Sequence, residues 1–396
     1  MQSARAVALL GPRQAGKSTL ARALAAGASM PADYLTLDDD PIRSAARADP
    51  DGFIAALGRR TVIDEVQRAP DLLLAVKARL DRDDRRGQFL LTGSANLRRI
   101  PTVADALPGR VDYLTLWPLT QGEIRGHQEQ FLDGLFDQRV PTLTDAPVGR
   151  GAYAEMLIAG GFPESLTRSD AARARFFESY IGSILDRDLA DAARVQDPNS
   201  VGTLMRLVAA RSASLARYDA LGRDAGIDGK TAKSHIDVLE RLFLIRVRRP
   251  WHTNLGKRQV KAPKLYVADS GLLAALVGAD QQRLQRDDGL AGALLETFVA
   301  NELERQASWS ARPPTFWHYR EQEREVDIIA ERPSGDLVGI EVKAAATVRK
   351  RDFQGLEHMR ERLGARLRAG IVVYTGQRTL PFGERLFAVP LQGLWG

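Results

Sequence analysis

The chain of 396 residues contains no cysteine. This excludes disulfide bonds and any zinc or iron–sulfur site built on thiolate ligands. The five histidines are scattered and form no HExxH pair, so the usual zinc-protease motif is absent too. A chain without cysteine is compatible with a reducing cytoplasm, which is where we expect this protein to act.

Long apolar runs are missing as well. No stretch approaches the roughly 20 residues that a membrane-spanning helix needs, and the N-terminus enters an apolar run almost at once. We therefore expect no membrane association and no signal peptide. With 44% hydrophobic and 27% charged residues, the composition is that of a soluble globular protein, and the length predicts two or three domains. The net charge of +6 permits a polyanionic partner without establishing one.

A glycine-rich loop near the N-terminus predicts a nucleotide-binding site. Residues 4–10 read as a buried strand, residues 20–24 continue at helical spacing, and the loop between them matches G-x-x-x-x-G-K-[ST] in full. Backbone N–H groups of such a loop bind phosphates; the lysine reaches the β- and γ-phosphates, and the serine holds Mg²⁺. The predicted ATP-binding residues are Gly11, Pro12, Arg13, Gln14, Ala15, Gly16, Lys17, Ser18 and Thr19.

Two further apolar strands are expected to bring polar residues to the same site. Thr-Val-Ile at positions 61–63 leads into Asp64 and Glu65. We predict that Asp64 joins Ser18 in holding Mg²⁺ and that Glu65 polarises the attacking water. The next strand ends in Thr92 and Ser94. ATPases of the additional-strand class, including AAA+ proteins, carry a polar sensor of the γ-phosphate at this place. By resemblance to them Ser94 is our candidate, with Thr92 as second choice; the alternative is a simple polar cap at the end of the strand.

Arg110 lies in a turn before another apolar strand, residues 111–117. In a ring of identical subunits such an arginine can reach a neighbour's nucleotide and stabilise transition-state charge. The alternative is a surface arginine that pairs with an aspartate or with nothing. The first interpretation requires an oligomer, which the sequence does not show.

The order of these motifs resembles that of the AAA-like ATPases of bacteria and archaea that carry a C-terminal domain of unknown function with a nuclease-like fold. The matching stretches are GPRQAGKSTL, YLTLDDDPIR, VIDEVQRAPDLL, LLTGSANL, LPGRV, LWPLTQGEI, GGFPE, SYIGSILDRDL, PKLYVADSGLLAAL and ETFVANEL. The resemblance covers nearly the whole chain. It implies an α/β fold with an AAA+-like P-loop ATPase core, a helical and winged-helix middle, and a C-terminal α/β domain like that of restriction endonucleases.

The resemblance also sets expectations for adenine and for the domain boundaries. Family members usually carry a short segment before the P-loop strand that packs near the adenine. Here that strand starts within a few residues of Met1, so either the start is truncated or adenine recognition comes from elsewhere. We predict an ATPase core at 1–150, a helical segment at 151–198, a winged-helix-like module at 199–270 and a nuclease-like domain at 271–396.

In the middle of the chain apolar residues recur at helical spacing, and a helix–turn–helix pattern follows them. Phe177, Tyr180, Ile181, Ile184 and Leu185 share one predicted helix face. Pro198 marks the next boundary, with Asn199 or Ser200 as the expected N-cap. A short helix over 218–225 is followed by Gly-Ile-Asp-Gly and a longer helix, in which Ala232, Ile236, Leu239 and Leu242 have core spacing.

Basic residues cluster on the second of these helices, and on and between the two predicted wing strands that follow it. We interpret them as a DNA-contacting surface that reads structure rather than sequence, because each neutralised phosphate releases counterions and adds affinity. The alternative is a protein-packing module with a solvated basic face. The candidate residues are Lys230, Lys233, Arg246, Arg248, Arg249, Lys257, Arg258 and Lys261, with Lys264 on the same run.

Near the C-terminus the order is a helix with Glu296, a strand with Asp327, and a strand with Glu341 and Lys343. This order resembles the PD-(D/E)xK nucleases. Residues two apart on a strand share a face, so Glu341 and Lys343 are expected to point the same way, opposite Asp327. Carboxylates in that arrangement bind Mg²⁺ or Mn²⁺, and the lysine positions the water. The alternatives are a salt-bridge cluster, or a nuclease fold that binds without cutting.

Together these features predict an ATP- and Mg²⁺-dependent motor or switch that binds or remodels DNA. We expect a homo-oligomer, with a hexameric ring as one form. A second Mg²⁺ or Mn²⁺ at the C-terminal site is a further hypothesis. The alternative functions are an ATP-regulated, metal-dependent DNA nuclease and an ATP-controlled regulator that binds another protein.

Overall fold

The structure is a computed structural model that describes residues 4–27, 31–94, 109–142, 148–185, 197–253 and 262–396. Contacts divide the chain into two compact units. The first is Met1–Pro118 with Arg241–Phe243, and the second is Leu119–Glu240 with Leu244–Gly396. In the described ranges no helix has the length and apolar character needed to cross a membrane.

The first unit is built on a five-stranded parallel sheet with strand order β2-β3-β4-β1-β5. Its strands are β1 (Ala6–Leu10), β2 (Asp33–Thr36), β3 (Thr61–Asp64), β4 (Phe89–Gly93) and β5 (Val111–Thr115). Its helices are α1 (Lys17–Ala26), α2 (Asp40–Ala48), α3 (Pro50–Ala56) and α4 (Leu72–Arg82), with a 3₁₀ turn at Val66–Arg68. This is the α/β core that the P-loop motif predicted.

Side-chain alternation along β1 explains why this sheet is covered on both faces. Ala6, Ala8 and Leu10 pack into the cluster that contains α4, whereas Val7 and Leu9 pack into a second cluster with α1. Successive strand residues point to opposite faces, so an unbroken apolar run is what a doubly covered strand requires. The parallel register brings the carboxyl ends of the strands, and the polar residues that follow them, to one edge.

The second unit begins with helices and a small three-stranded sheet of order β6-β8-β7. The helices are α5 (Gln121–Ile124), α6 (Phe131–Phe136), α7 (Arg150–Ala159), α8 (Pro163–Leu166), α9 (Asp170–Ser183), α10 (Pro198–Ala210), α11 (Tyr218–Ala225) and α12 (Gly229–Arg241). The strands are β6 (Ser214–Leu215), β7 (Ile245–Arg248) and β8 (Lys264–Val267). From α10 to β8 the described elements are, in order, helix, strand, helix, helix, strand and strand. The winged-helix interpretation of this segment stays a prediction.

The rest of the second unit is a six-stranded mixed sheet of order β13-β14-β12-β11-β10-β9, separate from the first sheet. Its strands are β9 (Thr315–Glu321), β10 (Arg324–Glu331), β11 (Leu337–Lys343), β12 (Leu367–Tyr374), β13 (Leu380–Gly383) and β14 (Leu386–Pro390). Its helices are α13 (Ser270–Val277), α14 (Gln281–Arg286), α15 (Asp288–Ala307) and α16 (Gln354–Leu363), with 3₁₀ turns at Lys350–Phe353, Gly364–Arg366 and Leu391–Leu394.

The local sequence patterns succeed in the helices, with one correction. The apolar positions predicted on the helix of 229–241 are buried, as are Phe177, Tyr180, Ile181 and Ile184. The N-cap prediction was wrong: the cap of α10 is Asp197, whose side chain accepts a hydrogen bond from the Asn199 N–H, and Pro198 is the first helical residue. Proline suits that position because its missing N–H is not needed there.

Candidate functional site

The loop between β1 and α1 has the backbone of a phosphate-binding loop. Gly11 has φ 148° and Gly16 has φ 98°, both in a region that L side chains rarely adopt. A Cβ on Gly11 would lie 2.1 Å from the Leu116 carbonyl oxygen, so only glycine fits there. Helix α1 starts directly after Gly16, with no described side chain capping it and no acid in its first turn. This end of the helix therefore carries the partial positive charge that favours an anion.

Lys17 is held inside this loop. Its amine donates to the carbonyl oxygens of Gly11 at 3.0 Å and Pro12 at 2.7 Å, and the side chain is buried. A lysine bound to loop carbonyls is aimed into the loop, where phosphate oxygens are better acceptors for an ammonium. The structure therefore places the Lys17 amine within the loop.

Asp64 lies beside the start of α1 and accepts three side-chain hydrogen bonds. The Ser18 hydroxyl donates to its Oδ1 at 3.1 Å, the Tyr34 hydroxyl donates to its Oδ2 at 2.6 Å, and the Thr92 hydroxyl also donates to Oδ1. The carboxylate is almost fully buried. Two of the predicted Mg²⁺ ligands, Ser18 and Asp64, are therefore already in contact, from elements 46 residues apart in sequence.

Glu65 is positioned by its backbone and by two polar neighbours. It has φ 58°, a left-handed conformation that is uncommon for a residue other than glycine. Its N–H donates to the Thr92 hydroxyl at 3.1 Å. Its carboxylate accepts from the Gln67 amide and, at 3.4 Å, from the Ser94 hydroxyl. The Gln67 amide also donates to Ser94 at 3.0 Å. Glu65, Gln67 and Ser94 form one polar group at the edge where the P-loop lies.

Arg110 does not belong to this group in its own chain. It immediately precedes β5, which runs parallel to β1 with Val111 opposite Ala6. Arg110 is therefore at the amino edge of the sheet, whereas the P-loop follows the carboxyl end of β1. Its guanidinium forms an ion pair with Asp81, which lowers the pKa of that carboxyl. A role for Arg110 at its own chain's nucleotide is excluded by this placement; a role at a neighbour's nucleotide stays a prediction.

Sequence reasoning missed two residues of the site. Tyr34 holds Asp64, and Gln67 holds Glu65 and Ser94. Both lie in stretches that carried the family resemblance, but neither residue type is tied to a P-loop motif. Burial and the hydrogen bond to Asp64 raise the pKa of Tyr34 to about 12, so its hydroxyl remains a donor throughout the neutral range.

Tyr34→Phe tests this support of Asp64. Loss of the hydroxyl leaves the carboxylate less well oriented, and such second-layer losses reduce metal affinity by about 10-fold or more. We expect the Mg²⁺ concentration for half-maximal ATPase activity to rise by that factor, with little change in protein stability. Tyr218→Phe, in the second unit, is the control and should titrate like the wild type. An unchanged Mg²⁺ requirement in Tyr34→Phe would contradict the assignment.

A second polar cluster lies in the C-terminal unit and contains all four residues predicted for a nuclease-like site. The Asp327 N–H donates to Glu341 Oε2 at 3.3 Å, and the Val342 N–H donates to Asp327 Oδ2 at 3.0 Å, so the two acids face each other across β10 and β11. The Lys343 amine donates to Glu341 Oε1 at 2.8 Å. Glu296, on α15, completes the group.

The cluster contains a further cation that the sequence analysis placed elsewhere. The Lys264 amine lies 3.1 Å from Glu296 Oε1, 2.9 Å from Glu325 Oε1 and 2.9 Å from Asp327 Oδ1. The sequence pattern placed Lys264 on an exposed basic surface. In the structure its side chain is instead buried among acids. Burial, followed by the charge of Asp327, raises the pKa of Glu296 to about 7 and that of Glu341 to about 8.

The expected second metal site is not supported. Across the described parts of the chain, no group of three or more His, Cys, Asp or Glu residues is arranged so that it could hold a metal ion. The oxygens that would be the ligands already surround the Lys264 amine. The residues present therefore do not fit a divalent metal at this place.

The predicted basic surface is only partly exposed. Lys230 and Lys233 on α12, and Arg249 after β7, are exposed. Arg246 forms an ion pair with Glu304 at 2.9 Å. Arg248 was expected to face DNA, but it is buried, with its guanidinium over the rings of Tyr266 and Phe316; we remove it from the surface. Lys257, Arg258 and Lys261 lie outside the described residues.

Another buried ionic group anchors the beginning of the second unit. Arg305 donates to Asp269 at 2.8 Å and to Glu302 at 3.2 Å, and both acids are fully buried. Arg305 also donates to the Leu119 carbonyl at 2.9 Å, and the Gln121 N–H donates to Glu302 at 3.0 Å. Burial raises the pKa of Glu302 to about 7. Helix α15 thus holds the first residues of the unit through charge-assisted hydrogen bonds.

The fold and the nucleotide site together define the class. A parallel sheet with a glycine-rich loop after β1, an Asp-Glu pair at the end of β3 and polar residues at the end of β4 is the core of a P-loop ATPase. Residues 3–125 match the AAA domain family. This chain therefore contains an AAA-type P-loop ATPase domain.

The particular family follows from the remainder of the chain. Residues 150–283 match the domain of unknown function DUF8612, and residues 291–394 match the domain of unknown function DUF4143. The chain is 30% identical over 393 residues to the uncharacterized proteins Rv2008c of Mycobacterium tuberculosis and Mb2031c of Mycobacterium bovis. Each match covers 98% of this chain and 81% of the relative. The chain belongs to the family of proteins that join an AAA ATPase domain to a C-terminal DUF4143 domain.

Among solved structures, the Thermotoga maritima RuvB Holliday junction branch migration motor is similar at 18% identity. The alignment covers 62% of this chain and 82% of that chain, with a TM-score of 0.28. At that score the likeness supports no conclusion about function.

Proposed function

We propose that this protein is a Mg²⁺-dependent ATPase that uses hydrolysis to bind or remodel DNA, working as a homo-oligomer in the cytoplasm. The observation that carries the ATPase part is the contact of Ser18 with Asp64 beside the P-loop, with Glu65 next in the chain. Phosphoryl transfer depends on positioning and on neutralised charge, and these residue types in this order supply both.

Each residue has a task that follows from its contacts. The N–H groups at the start of α1 bind phosphate oxygens, and the Lys17 amine moves from loop carbonyls to the β- and γ-phosphates. Ser18 and Asp64 would hold Mg²⁺, which supplies charge neutralisation at the phosphates. Glu65 orients the attacking water, while Gln67 and Ser94 keep its carboxylate at the edge of the sheet.

Support for the DNA part comes from the start of α12. Asp228 accepts from the N–H groups of Lys230 and Thr231 at 2.8 and 2.9 Å and so fixes the turn before the helix. Lys230 and Lys233 then project as exposed cations from a first turn without acids. Cations at the start of such a helix are placed to contact phosphates, where they add salt-dependent affinity without reading bases.

The position of Arg110 in the sheet supports the proposal that the protein works as an oligomer. Its side chain is 30% exposed and pairs with Asp81 at the edge opposite its own P-loop. A catalytic role for Arg110 therefore needs a neighbouring subunit, in which it would exchange Asp81 for phosphate charge. Sedimentation of the protein with and without a non-hydrolysable ATP analogue measures the assembly directly.

DNA-stimulated ATPase activity is the main test of the DNA part. We expect turnover to rise with at least one of duplex, single-stranded or branched DNA at low salt and to fall as salt increases. Lys230→Glu should weaken the stimulation several-fold at unchanged basal turnover. Arg59→Glu, an exposed reversal of the same charge on the ATPase unit, is the control and should behave like the wild type.

Two results would contradict parts of the DNA proposal. If no DNA structure changes turnover at low salt, the DNA part fails and the alternative, an ATP-controlled regulator that binds another protein, becomes the better interpretation. If Lys230→Glu is stimulated like the wild type, the start of α12 is not the contact surface. The other alternative, a metal-dependent nuclease, is disfavoured by the Lys264 contacts.

A further inference from the structure

Two side chains of strand β8 contact the acidic cluster formed by Glu296, Glu325 and Asp327. Lys264 and Tyr266 are two residues apart on this strand. The Lys264 amine contacts Glu296, Glu325 and Asp327, while the Tyr266 hydroxyl donates to Glu296 Oε1 at 2.6 Å. The acids come from α15 and β10, whereas the donors come from the small sheet. The cluster is therefore a junction between two parts of the second unit.

The geometry around Lys264 is that of a filled cation site. An ammonium has three N–H donors, and here three different carboxylates lie at 2.9–3.1 Å from the nitrogen. Only 4% of the lysine side chain is exposed. A magnesium ion would need the same oxygens at about 2.0–2.1 Å, together with several waters. The amine occupies that space and adds a positive charge that repels a divalent ion.

The acids around Lys264 stabilise the protonated, charged form of its amine. Burial by itself lowers the pKa of an amine, but the negative charges of Asp327, Glu296 and Glu325 more than offset this and raise the pKa of Lys264 well above its usual range. The remaining acid of the nuclease-like set, Glu341, is paired with Lys343.

We infer that Lys264 is the resident cation of this cluster and takes the place of a divalent metal. The folded C-terminal domain then holds no metal at Asp327 and does not cut DNA by a metal-dependent route. Its acids instead fasten β8 to β10 and α15. This inference is independent of the proposed ATPase function, because it concerns only residues of the second unit.

Mn²⁺ binding to the nucleotide-free, full-length protein tests the inference. Free Mn²⁺ is measured by electron paramagnetic resonance during titration of the wild type, Asp327→Asn and Glu325→Gln. We expect the three proteins to bind Mn²⁺ equally, because any weak binding near Asp64 is common to all of them. Wild-type binding that is lost in Asp327→Asn overturns the inference, whatever the behaviour of other variants.

Lys264→Met tests whether removing the amine creates a metal site. Methionine keeps much of the lysine stem but removes the amine, leaving Glu296, Glu325 and Asp327 to face one another. We expect this variant to gain a Mn²⁺ site and to melt at a higher temperature with Mn²⁺ than without it. The double variant with Asp327→Asn should lose both effects. A folded Lys264→Met that binds no more Mn²⁺ than the wild type contradicts the inference; if it does not fold, the wild-type comparison above decides.

A cleavage assay gives an independent readout. The wild type is incubated with Mg²⁺ or Mn²⁺ and duplex, single-stranded or branched DNA. We expect no nick that disappears in Asp327→Asn. Such a nick would show a working metal site at Asp327 and would overturn the inference, while leaving the ATPase proposal untouched.

Discussion

Glu65→Gln is expected to bind ATP normally and to hydrolyse it at least about 100-fold more slowly, which is the scale of losing a positioned base. Glutamine keeps the size and can still accept a hydrogen bond from Gln67, but it carries no negative charge to polarise water. Lys17, Ser18 and Asp64, which contact the phosphates and Mg²⁺ in the proposal, are unchanged. The change should therefore separate binding from turnover.

Nucleotide binding by fluorescence titration and phosphate release under single-turnover conditions measure the two parts. Asp84→Asn is a matched carboxylate-to-amide control in the same unit, because Asp84 is exposed and pairs only with Arg5 among the described contacts. It should bind and hydrolyse ATP like the wild type. Normal turnover in Glu65→Gln would remove Glu65 from the chemistry.

Arg305→Met is expected to cost about 3–5 kcal/mol of unfolding free energy in the second unit, because removing one partner leaves buried charge without compensation. Asp269 and Glu302 are both fully buried and both accept hydrogen bonds from this guanidinium. The Leu119 carbonyl loses a donor at the same time. We therefore expect a clear fall in melting temperature for this unit.

Thermal unfolding followed by circular dichroism measures the effect. Arg139→Met is the control: its ion pair with Asp137 is exposed, and such pairs contribute about 1 kcal/mol or less. Its melting temperature should stay close to that of the wild type. Equal stability of Arg305→Met and the wild type would mean that the acids are protonated and need no guanidinium.

The ATPase core could be predicted from sequence because its signals are local and its geometry follows from the sheet. The P-loop is one contiguous stretch, and parallel strands place Asp64, Thr92 and Ser94 at the same edge as that loop. Tyr34 gave no such signal, since a tyrosine on a half-buried strand is usually a packing residue. Asp197 was missed as an N-cap because three polar residues surround Pro198, and only the backbone decides which of them is the cap.

The role of Lys264 could not be predicted, because it depends on contacts distant in sequence. Its partners Glu296 and Asp327 are 32 and 63 residues away. Within the local sequence Lys264 is one more cation in a basic run, as is Arg248. Lys264 and Arg248 differ from the other cations of this run because they are buried against α15 and the C-terminal sheet. This burial arises from tertiary packing, which the local sequence does not show. The three acids and the lysine of the nuclease-like pattern were found, but not the cation that fills the space between them.

The Lys264 contacts also bear on how such chains can be recombined. Lys264 lies in the segment that matches one domain family, residues 150–283, while Glu296 and Asp327 lie in the segment that matches another, residues 291–394. A chimera that took the second segment from a relative lacking the lysine's partners would bury an unpaired ammonium, and the reverse exchange would bury unpaired carboxylates. The two segments are therefore expected to be inherited and exchanged as one piece, although they are recognised as two families.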